Sequence, residues 1–366
     1  MRREVMGRFF ITLWCDNFEQ KMKIAKMILF VSAALALVVV GYFAVVFADS
    51  FAAAQSVESP AEGLYTFTYS GDYGFGEFIE RGGASSAEEM AGYITEFLTH
   101  GFVKAQPVAA EFGCSVATVA AADGGFWTVR NFDWEGDSDM VVMRTVPNDG
   151  YASVAASNIE FLGFGEDYAP RSMMERMMLL AAIYVPLDGM NEKGLCVADL
   201  IVGDGQTTNQ KTEKLDLTTT SAIRLLLDRA ADVEEAIELL EGCDMHSDIE
   251  RAHHLAISDS NGRSVVVEWI DDEMVVTESA VCTNHYLAGA RARDVAALED
   301  SFVRYDSMAE AIGSSGRMGA EQVEKMIKMV ARDDTRWSAI FDRSRMEVRY
   351  YLGGDFATPY SFAIGR

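Results

Sequence analysis

The feature that most constrains this chain is a β-hairpin signal built around an Asp-Gly pair at 123–124. Two runs rich in β-branched and aromatic residues flank the pair, CSVATVAAA before it and GFWTVRNFDW after it. Asp-Gly suits a two-residue type I′ turn, in which both central residues need positive φ. A two-residue loop predicts that Cys114 lies directly opposite Asp133, with Cβ atoms ~5 Å apart. The hairpin therefore predicts a thiol beside a carboxylate.

The charge of the chain excludes some classes of partner. Its 366 residues include 56 acidic and 31 basic ones, which gives a formal net charge of −25. Because nucleic-acid backbones and anionic lipids attract basic surfaces and no basic cluster offsets this charge, we expect no nucleic-acid partner. The five histidines follow no metal-binding spacing, and the sequence has no glycine-rich phosphate loop and no GxSxG motif. We therefore expect neither a metal nor a cofactor.

One long uncharged segment lies near the N-terminus. Residues 27–48, MILFVSAALALVVVGYFAVVFA, would span about 33 Å as a helix, enough to cross a bilayer core. Six basic residues precede this segment, and the next basic residue is Arg81. The positive-inside rule therefore predicts that residues 1–26 are cytoplasmic and that the chain beyond Ala48 is extracytoplasmic. The small residues around Ala48 also suit signal peptidase, so a membrane anchor and a cleaved signal both remain open.

Residues 49–113 are predicted to be a linker followed by a propeptide. Residues 49–63 are small and polar, which is typical of linkers. Met90, Ile94 and Phe97 then recur at helical spacing after a serine-led acidic turn, which predicts a short helix. These apolar side chains need a surface to cover, so we expect this segment to pack on the main domain.

Residues 114–366 are predicted to form a catalytic domain of α+β class. A second hairpin turns at Asn261-Gly262. The Asn-Glu-Lys-Gly stretch at 191–194 is predicted to be a tight turn between two strands, which Asn191 caps. Pairs of helical segments alternate with these strands, such as LTTTSAIRLLLDRAA with DVEEAIELLEG. Antiparallel strands in blocks between helix pairs predict sheets that stack on each other with helices outside.

A cysteine that follows a glycine can become a nucleophile once the bond between them is cut. The freed α-amino group, with a reference pKa of about 8, is a suitable general base, and no histidine lies near Cys114 in the sequence. Gly113 has no Cβ atom, so it allows the thiol to approach its carbonyl closely. An ordinary core cysteine explains a Gly-Cys pair at least as well, so the pair alone leaves both interpretations open.

Several segments together resemble the choloylglycine hydrolase superfamily of N-terminal-nucleophile amidases. They occur in order over residues 114–366: RNFDW, DGMNEKGL, HHLAISDSNGRSVVVEW, VCTNHY and SFVRY. The superfamily includes bile salt hydrolases, penicillin V acylases, isopenicillin N acyltransferase, and the N-acylethanolamine and ceramide amidases. The resemblance implies a four-layer αββα sandwich that hydrolyses linear amides.

The resemblance also assigns roles to five residues. It implies that Cys114 is the nucleophile, that Arg130 lies near the thiolate and that Asp133 orients the α-amine. Asn284 would be the oxyanion-hole asparagine, and Arg304 the second active-site arginine. Each of the last four also suits a structural role: strand-end charges at 130 and 133, a turn residue at 284 and a helix-surface charge at 304.

Two departures from the family pattern bear on the substrate and on processing. Bile salt hydrolases carry an asparagine after their GMNEKGL strand, where this chain has Ile201, so a bile-salt substrate is disfavoured and a backbone N–H is left as the second oxyanion donor. Bile salt hydrolases also begin almost at their cysteine. The acyltransferase and the N-acylethanolamine and ceramide amidases instead keep a propeptide as a separate α chain, which the segment before Cys114 resembles.

These observations predict a self-processing, extracytoplasmic amidase, cut between Gly113 and Cys114, whose partners are a small N-acyl amide and its own α chain. Acyl transfer to an amine by the same residues is an alternative within enzymes. A membrane-anchored binding protein on the same fold is an alternative from another class. Retention of the catalytic set argues against the binding protein, because binding alone does not require it.

Overall fold

The computed structural model describes residues 22–23, 26–27, 29–33, 35, 47–99, 112–136, 139–163, 168–203, 206–249, 251–288 and 298–365. Residues 1–48 and 49–366 separate into two units. The predicted membrane or signal helix at 27–48 lies mostly outside the described residues, as does Cys15. Within the described part of the chain, no helix is both long and apolar enough to cross a bilayer.

The larger unit combines helices with two extended sheets. Its α-helices are α1 Ala48–Gln55, α2 Phe75–Glu80, α3 Ala87–Thr99, α4 Met173–Leu179, α5 Thr219–Arg229, α6 Val233–Glu241, α7 Glu299–Ser315 and α8 Ala320–Met329. Short 3-10 turns occupy Ile159–Leu162 and Leu180–Tyr184. At the start of α6, the Asp232 carboxylate accepts a hydrogen bond from the Glu235 N–H.

A nine-stranded sheet runs in the order β1-β2-β5-β6-β7-β8-β11-β12-β13. Its strands are β1 Glu58–Ala61, β2 Leu64–Ser70, β5 Met140–Val146, β6 Ser153–Asn158, β7 Asp188–Asn191, β8 Cys196–Val202, β11 Ala252–Ser258, β12 Ser264–Ile270 and β13 Glu273–Glu278. Its neighbours pair antiparallel except β2 and β5, which are parallel. The segment predicted to be a propeptide thus supplies two strands of a sheet that the predicted catalytic domain completes.

A six-stranded antiparallel sheet runs in the order β14-β3-β4-β15-β16-β17. Its strands are β3 Phe112–Ala120, β4 Phe126–Trp134, β14 Val281–Cys282, β15 Thr335–Asp342, β16 Glu347–Leu352 and β17 Tyr360–Ala363. The strands β9 Leu215–Thr218 and β10 Cys243–His246 form a separate parallel pair. The α+β class with large sheets is therefore confirmed.

Three apolar layers hold these sheets and helices together. The middle layer joins the two large sheets, with Cys114 and Phe132 from one and Val142 and Ala198 from the other. A second layer packs helices on the nine-stranded sheet, and a third packs α7 and α8 on the six-stranded sheet. Successive side chains of a strand point to opposite faces of its sheet, and the central strands of both sheets are buried on both faces.

The predicted hairpin exists, but its predicted register is wrong by one residue. Cys114 lies opposite Phe132, and Asp133 lies opposite Gly113. The turn is longer than a two-residue loop, because the Ala121 N–H donates to the carbonyl of residue 125 and the loop spans 122–124. A shift of one residue moves a side chain to the other face of the sheet. Asp133 therefore does not share the face of the Cys114 side chain.

The linker predicted at 49–63 is also wrong. These residues contain α1 and β1, and Ala53 and Ala54 of the helix are buried. The sequence of this stretch is small and polar, but small side chains also permit close packing of a helix on a sheet. The helix predicted around Met90 and Ile94 is present as α3, and both of these side chains are buried.

Candidate active site

The thiol of Cys114 lies in the layer between the two large sheets, near the start of β3. Its side chain is fully buried, and Arg130 Nη2 lies 3.5 Å from its Sγ atom. Arg130 can reach the thiol because it pairs with Val116, two residues from Cys114 on the same face of β3. Burial raises the pKa of the Cys114 thiol to about 11, against the opposing effect of the Arg130 charge.

Arg130 is itself fixed by a buried carboxylate. Its Nη1 donates to Asp188 Oδ2 at 2.7 Å, and its Nη2 donates to the Asp199 carbonyl at 2.8 Å. Asp188 also accepts hydrogen bonds from Trp337 Nε1 at 3.0 Å and from the Tyr350 hydroxyl at 2.9 Å. A buried charge is stable only when paired and hydrogen-bonded, and this pair meets both conditions. The guanidinium is thereby held rigidly beside the thiol.

The backbone of Cys114 is held on both sides by predicted site residues. Its N–H donates to Asn284 Oδ1 at 2.9 Å, and its carbonyl accepts from Arg304 Nη1 at 2.6 Å. Arg304 Nη2 donates to the same Asn284 oxygen at 2.9 Å. Asn284 Nδ2 donates to the Ile201 carbonyl at 2.9 Å. An amide nitrogen carries two hydrogens, so this bond leaves the second one for another acceptor.

Asp133 faces Gly113 from the opposite face of β4. A Cβ atom built at 113 would lie 3.2 Å from Asp133 Oδ2, a tight contact, and 3.6 Å from Asn284 Oδ1, an ordinary van der Waals contact. Asp133 Oδ1 accepts from the Thr335 hydroxyl at 2.6 Å, whereas its fully buried Oδ2 has no hydrogen-bond partner among the described residues. Burial raises the pKa of this carboxyl to about 6, although the Thr335 hydrogen bond opposes the rise.

A cleft of about 250 Å³ opens beside Gly113, Asn284 and Arg304. The charged residues along its wall are Glu135, Asp300, Arg304, Arg332 and Asp334. Asp300 Oδ2 accepts hydrogen bonds from Arg304 Nε at 2.8 Å and from Arg332 Nη1 at 2.9 Å, and so links the two arginines. The cleft therefore gives a polar solute access to the Gly113–Cys114 backbone.

The loop that carries Asn284 is fastened at two points. Its Asn284 N–H donates to Ser301 Oγ at 2.8 Å, and Glu268 accepts from the backbone N–H groups of Leu287 and Ala288 at 2.8 and 2.7 Å. Glu268 is fully buried. Because each fastening bond satisfies a group that burial would otherwise leave unpaired, the loop has little freedom to move.

The structure brings all five predicted side chains to one place, but by a different register. The sequence reasoning missed the groups that hold them: Asp188, Ser301, Thr335 and Glu268. Asp188 was within reach, since it precedes the GMNEKG turn that the sequence analysis singled out. Ser301 and Glu268 lie within the SFVRY and HHLAISDSNGRSVVVEW segments quoted above, but their roles arise only from tertiary packing, and Thr335 lies in none of the quoted segments.

The structure also describes two histidines, the turn asparagine and the cysteines. His253 and His254 contact separate carboxylates, those of Asp199 at 2.9 Å and Glu268 at 3.2 Å. Asn191 caps its turn by accepting hydrogen bonds from the N–H groups of residues 193 and 195, as predicted. Cys114, Cys196, Cys243 and Cys282 are all buried and free of disulfides.

The chain matches a protein-family model and is similar to several solved structures. Residues 114–286 match the family model of linear amide C-N hydrolases, choloylglycine hydrolase family. Among solved structures, the chain is similar to penicillin V acylase from Agrobacterium tumefaciens, at 18% identity and a TM-score of 0.46 over 68% of this chain and 84% of that one. Two variants of conjugated bile acid hydrolase from Clostridium perfringens are similar at 15% and 13% identity, with TM-scores of 0.49 and 0.45, each over 68% of this chain and 92% of theirs. No curated protein matches the chain.

Proposed function

Residues 114–286 belong to the choloylglycine hydrolase family of linear amide C–N hydrolases, and from this premise we propose that the chain is a self-processing amidase that forms an acyl-enzyme on Cys114. Its class as a hydrolase of carbon–nitrogen bonds in linear amides follows from the family. The mechanism rests on one observation above all. A buried carboxylate oxygen, Asp133 Oδ2, has no hydrogen-bond partner among the described residues and lies beside Gly113, where cleavage would create an ammonium group.

Self-cleavage begins with attack by the Cys114 sulfur on the Gly113 carbonyl carbon. The C–N bond between the two residues breaks, the thiol proton passes to the departing nitrogen, and a thioester joins Gly113 to the sulfur. Water then hydrolyses the thioester to a Gly113 carboxylic acid and a free thiol. The absence of a side chain at 113 supports this proposal, because a Cβ atom there would approach the Asp133 oxygen closely.

The freed amine of Cys114 then has two acceptors waiting. The Cys114 nitrogen already donates to Asn284 Oδ1 at 2.9 Å, and Asp133 Oδ2 faces the same end of the strand. The reference pKa of an α-amine is about 8, so the amine can accept the thiol proton as the sulfur attacks, although burial raises the pKa of the Cys114 thiol itself. Arg130 beside the sulfur favours the thiolate that results. The two faces of the hairpin thus separate the two roles, thiolate on one and ammonium on the other.

Turnover uses the same groups on an external amide. The thiolate attacks the substrate carbonyl carbon, the ammonium protonates the leaving amine, and water releases the acid from the thioester. Asn284 Nδ2, which has one hydrogen beyond its bond to the Ile201 carbonyl, supplies an oxyanion donor together with a backbone N–H. Arg304 fixes the carbonyl of Cys114 and the oxygen of Asn284, so that both stay aligned.

Three finer points belong to the same proposal. We assign the two stacked sheets and their outer helices to the four-layer αββα class of N-terminal-nucleophile hydrolases. We assign residues 49–113 to an α chain that stays bound after cleavage, since β2 pairs with β5 along its length. We also propose that residues 27–48 direct the enzyme out of the cytoplasm, on the strength of their uncharged sequence and the basic flank before them.

Intact-mass analysis of the purified protein tests self-processing. The wild type should give two polypeptides that meet between Gly113 and Cys114, and Cys114→Ala should give one uncut chain. Cys282→Ala is the matched control, because Cys282 is another buried cysteine of the middle layer and its loss should leave cleavage intact. Cleavage that persists in Cys114→Ala would mean that another protease does the work.

Hydrolysis by the processed protein tests the activity. A panel of conjugated bile salts, phenoxyacetyl amides, N-acyl homoserine lactones and long-chain N-acyl amines should reveal free acid from at least one class. Bile salts should be poor substrates, because Ile201 stands where bile salt hydrolases carry an asparagine. If none is cleaved and an acylating probe leaves Cys114 unlabelled, the binding-protein alternative replaces the amidase.

Export has its own test. A reporter that is active only outside the cytoplasm, fused after Arg366, should give signal, because the basic residues before residue 27 favour a cytoplasmic N-terminus. The matched control is the same fusion without residues 1–48. Equal activity from a cytoplasmic reporter at the same position would contradict the proposed location.

A further inference from the structure

Residues 332–335, which lead from the loop after α8 into Thr335 at the start of β15, lie beside Asp133 on the side opposite Gly113. Thr335 pairs with Asp133 across the two strands β15 and β4, and the register shifts immediately after it. We propose that Arg332 and Thr335 are positioning residues which set the aim and the charge of the Asp133 carboxylate. This inference rests on the proposed function, because it assigns Asp133 to the Cys114 amine.

Thr335 leaves its hydroxyl hydrogen only one destination. Its Oγ1 accepts the N–H of Arg332 at 2.8 Å and donates to Asp133 Oδ1 at 2.6 Å. A hydroxyl has a single hydrogen, and the backbone donor beside it directs that hydrogen towards the carboxylate. One oxygen of Asp133 is thereby fixed, and the other is turned towards Gly113.

Arg332 acts on Asp133 by charge without using the free oxygen. Its Nε lies 3.9 Å from Asp133 Oδ2, which is too far for a hydrogen bond. The guanidinium is held at that distance by two other carboxylates, Asp334 Oδ1 at 2.9 Å from Nε and Asp300 Oδ2 at 2.9 Å from Nη1. A closer arginine would compete with the ammonium group for Oδ2. The restraint therefore keeps a cation near the carboxylate and leaves the oxygen available.

The charges that face Asp133 come from every element around it. Arg304 on α7 and Arg332 on the loop favour the ionised carboxylate, whereas Asp334 on the same loop disfavours it. The Cys114 thiol on β3 faces it across the hairpin backbone. Burial has the largest influence and favours the neutral acid. Loss of the Arg332 charge or of the Thr335 hydroxyl should shift this balance towards protonation.

The test compares pH profiles of processed wild type, Arg332→Gln and Thr335→Val. The probe is iodoacetamide, and the readout is the rate of alkylation of the peptide that begins with Cys114, followed by mass. Each variant should move the acid limb to higher pH by about half a unit, which lowers the rate at pH 6 by about 2-fold, with a smaller change on the plateau. The limb moves to higher pH because a protonated Asp133 no longer stabilises the ammonium partner of the thiolate.

The controls separate positioning from general damage. Arg332→Lys and Thr335→Ser, which keep the charge and the hydroxyl, should restore the wild-type limb. Arg263→Gln removes an arginine of equal exposure that also binds two carboxylates, those of Glu234 and Glu278, and should not move the limb. Wild-type profiles in both Arg332→Gln and Thr335→Val would overturn this inference alone. A wild type that never processes would overturn it together with the proposed function.

Discussion

Two carboxylates in the interior of this protein, Asp188 and Asp133, are buried equally and satisfied very differently. Both side chains are fully inaccessible to solvent. Asp188 accepts hydrogen bonds from Arg130, Trp337 and Tyr350, so both of its oxygens are used. Asp133 accepts one bond from a hydroxyl and keeps one oxygen without a partner among the described residues.

This difference indicates that Asp188 stabilises the fold, whereas Asp133 keeps an oxygen available for the proposed reaction. A saturated buried carboxylate holds its partners in place and has no capacity for another. A buried carboxylate oxygen without a hydrogen bond lowers the stability of the fold until a donor binds to it. In this protein that oxygen, Asp133 Oδ2, lies beside Gly113, at the bond that we propose is cleaved. We therefore expect the Asp133 oxygen that destabilises the precursor to bind the new amine after cleavage.

The largest effect should come from removing the saturated carboxylate. In the uncut Cys114→Ala background, Asp188→Ala should lower the free energy of unfolding by about 3–5 kcal/mol, because it leaves Arg130 charged and unpaired in the interior. Urea denaturation measures this. Asp149→Ala, at an exposed ion pair with Arg229, should change it by less than about 0.5 kcal/mol. A small loss at Asp188 would erase the contrast with Asp133.

The next effect extends the contrast to two buried asparagines. Asn284→Ala should lower kcat by about 10²–10³-fold in fully processed enzyme, since one oxyanion donor is lost. Asn191→Ala is the matched control: its side chain is equally committed to hydrogen bonds but serves a turn, so it should reduce stability and spare kcat. Equal losses of kcat in the two variants would remove Asn284 from the reaction.

The smallest effect is also the most specific to Asp133. Its folded-state pKa of about 6 lies above the usual value of 3.8, so the folded chain binds this proton more tightly than the unfolded chain. The stability attached to this group is therefore complete below about pH 4 and is lost as the pH rises through 6. In the Cys114→Ala background, Asp133→Asn should raise the free energy of unfolding at pH 8 by ~1–2 kcal/mol relative to its effect at pH 4. If the effect of Asp133→Asn on the free energy of unfolding is the same at both pH values, Asp133 Oδ2 does not destabilise the folded chain.

The sequence predicts the elements of this site better than their alignment. The hairpin follows from Asp-Gly between two β-rich runs, but the loop length depends on packing. One extra loop residue places the side chains of Cys114 and Asp133 on opposite faces of the sheet, where the sequence predicted one shared face. The strand β2 could not be predicted, because its parallel partner β5 lies about 75 residues away in the chain. No feature of either segment identifies the other as its partner. Thr335 was equally hidden, since a threonine at the start of a strand is unremarkable until the neighbouring strand brings a carboxylate to it.

The strands that precede Cys114 would affect how the enzyme refolds after the proposed cleavage. In one chain, β2 meets β5 at an effective concentration set by the segment that connects them, which is in the millimolar range for short flexible links. Once the bond at 113–114 is cut, the same pairing becomes a bimolecular event. Dilute enzyme that unfolds after the cut would then regain its strands slowly, whereas the precursor would refold at a rate independent of concentration. The cut enzyme would therefore owe its persistence to slow unfolding rather than to a reversible equilibrium.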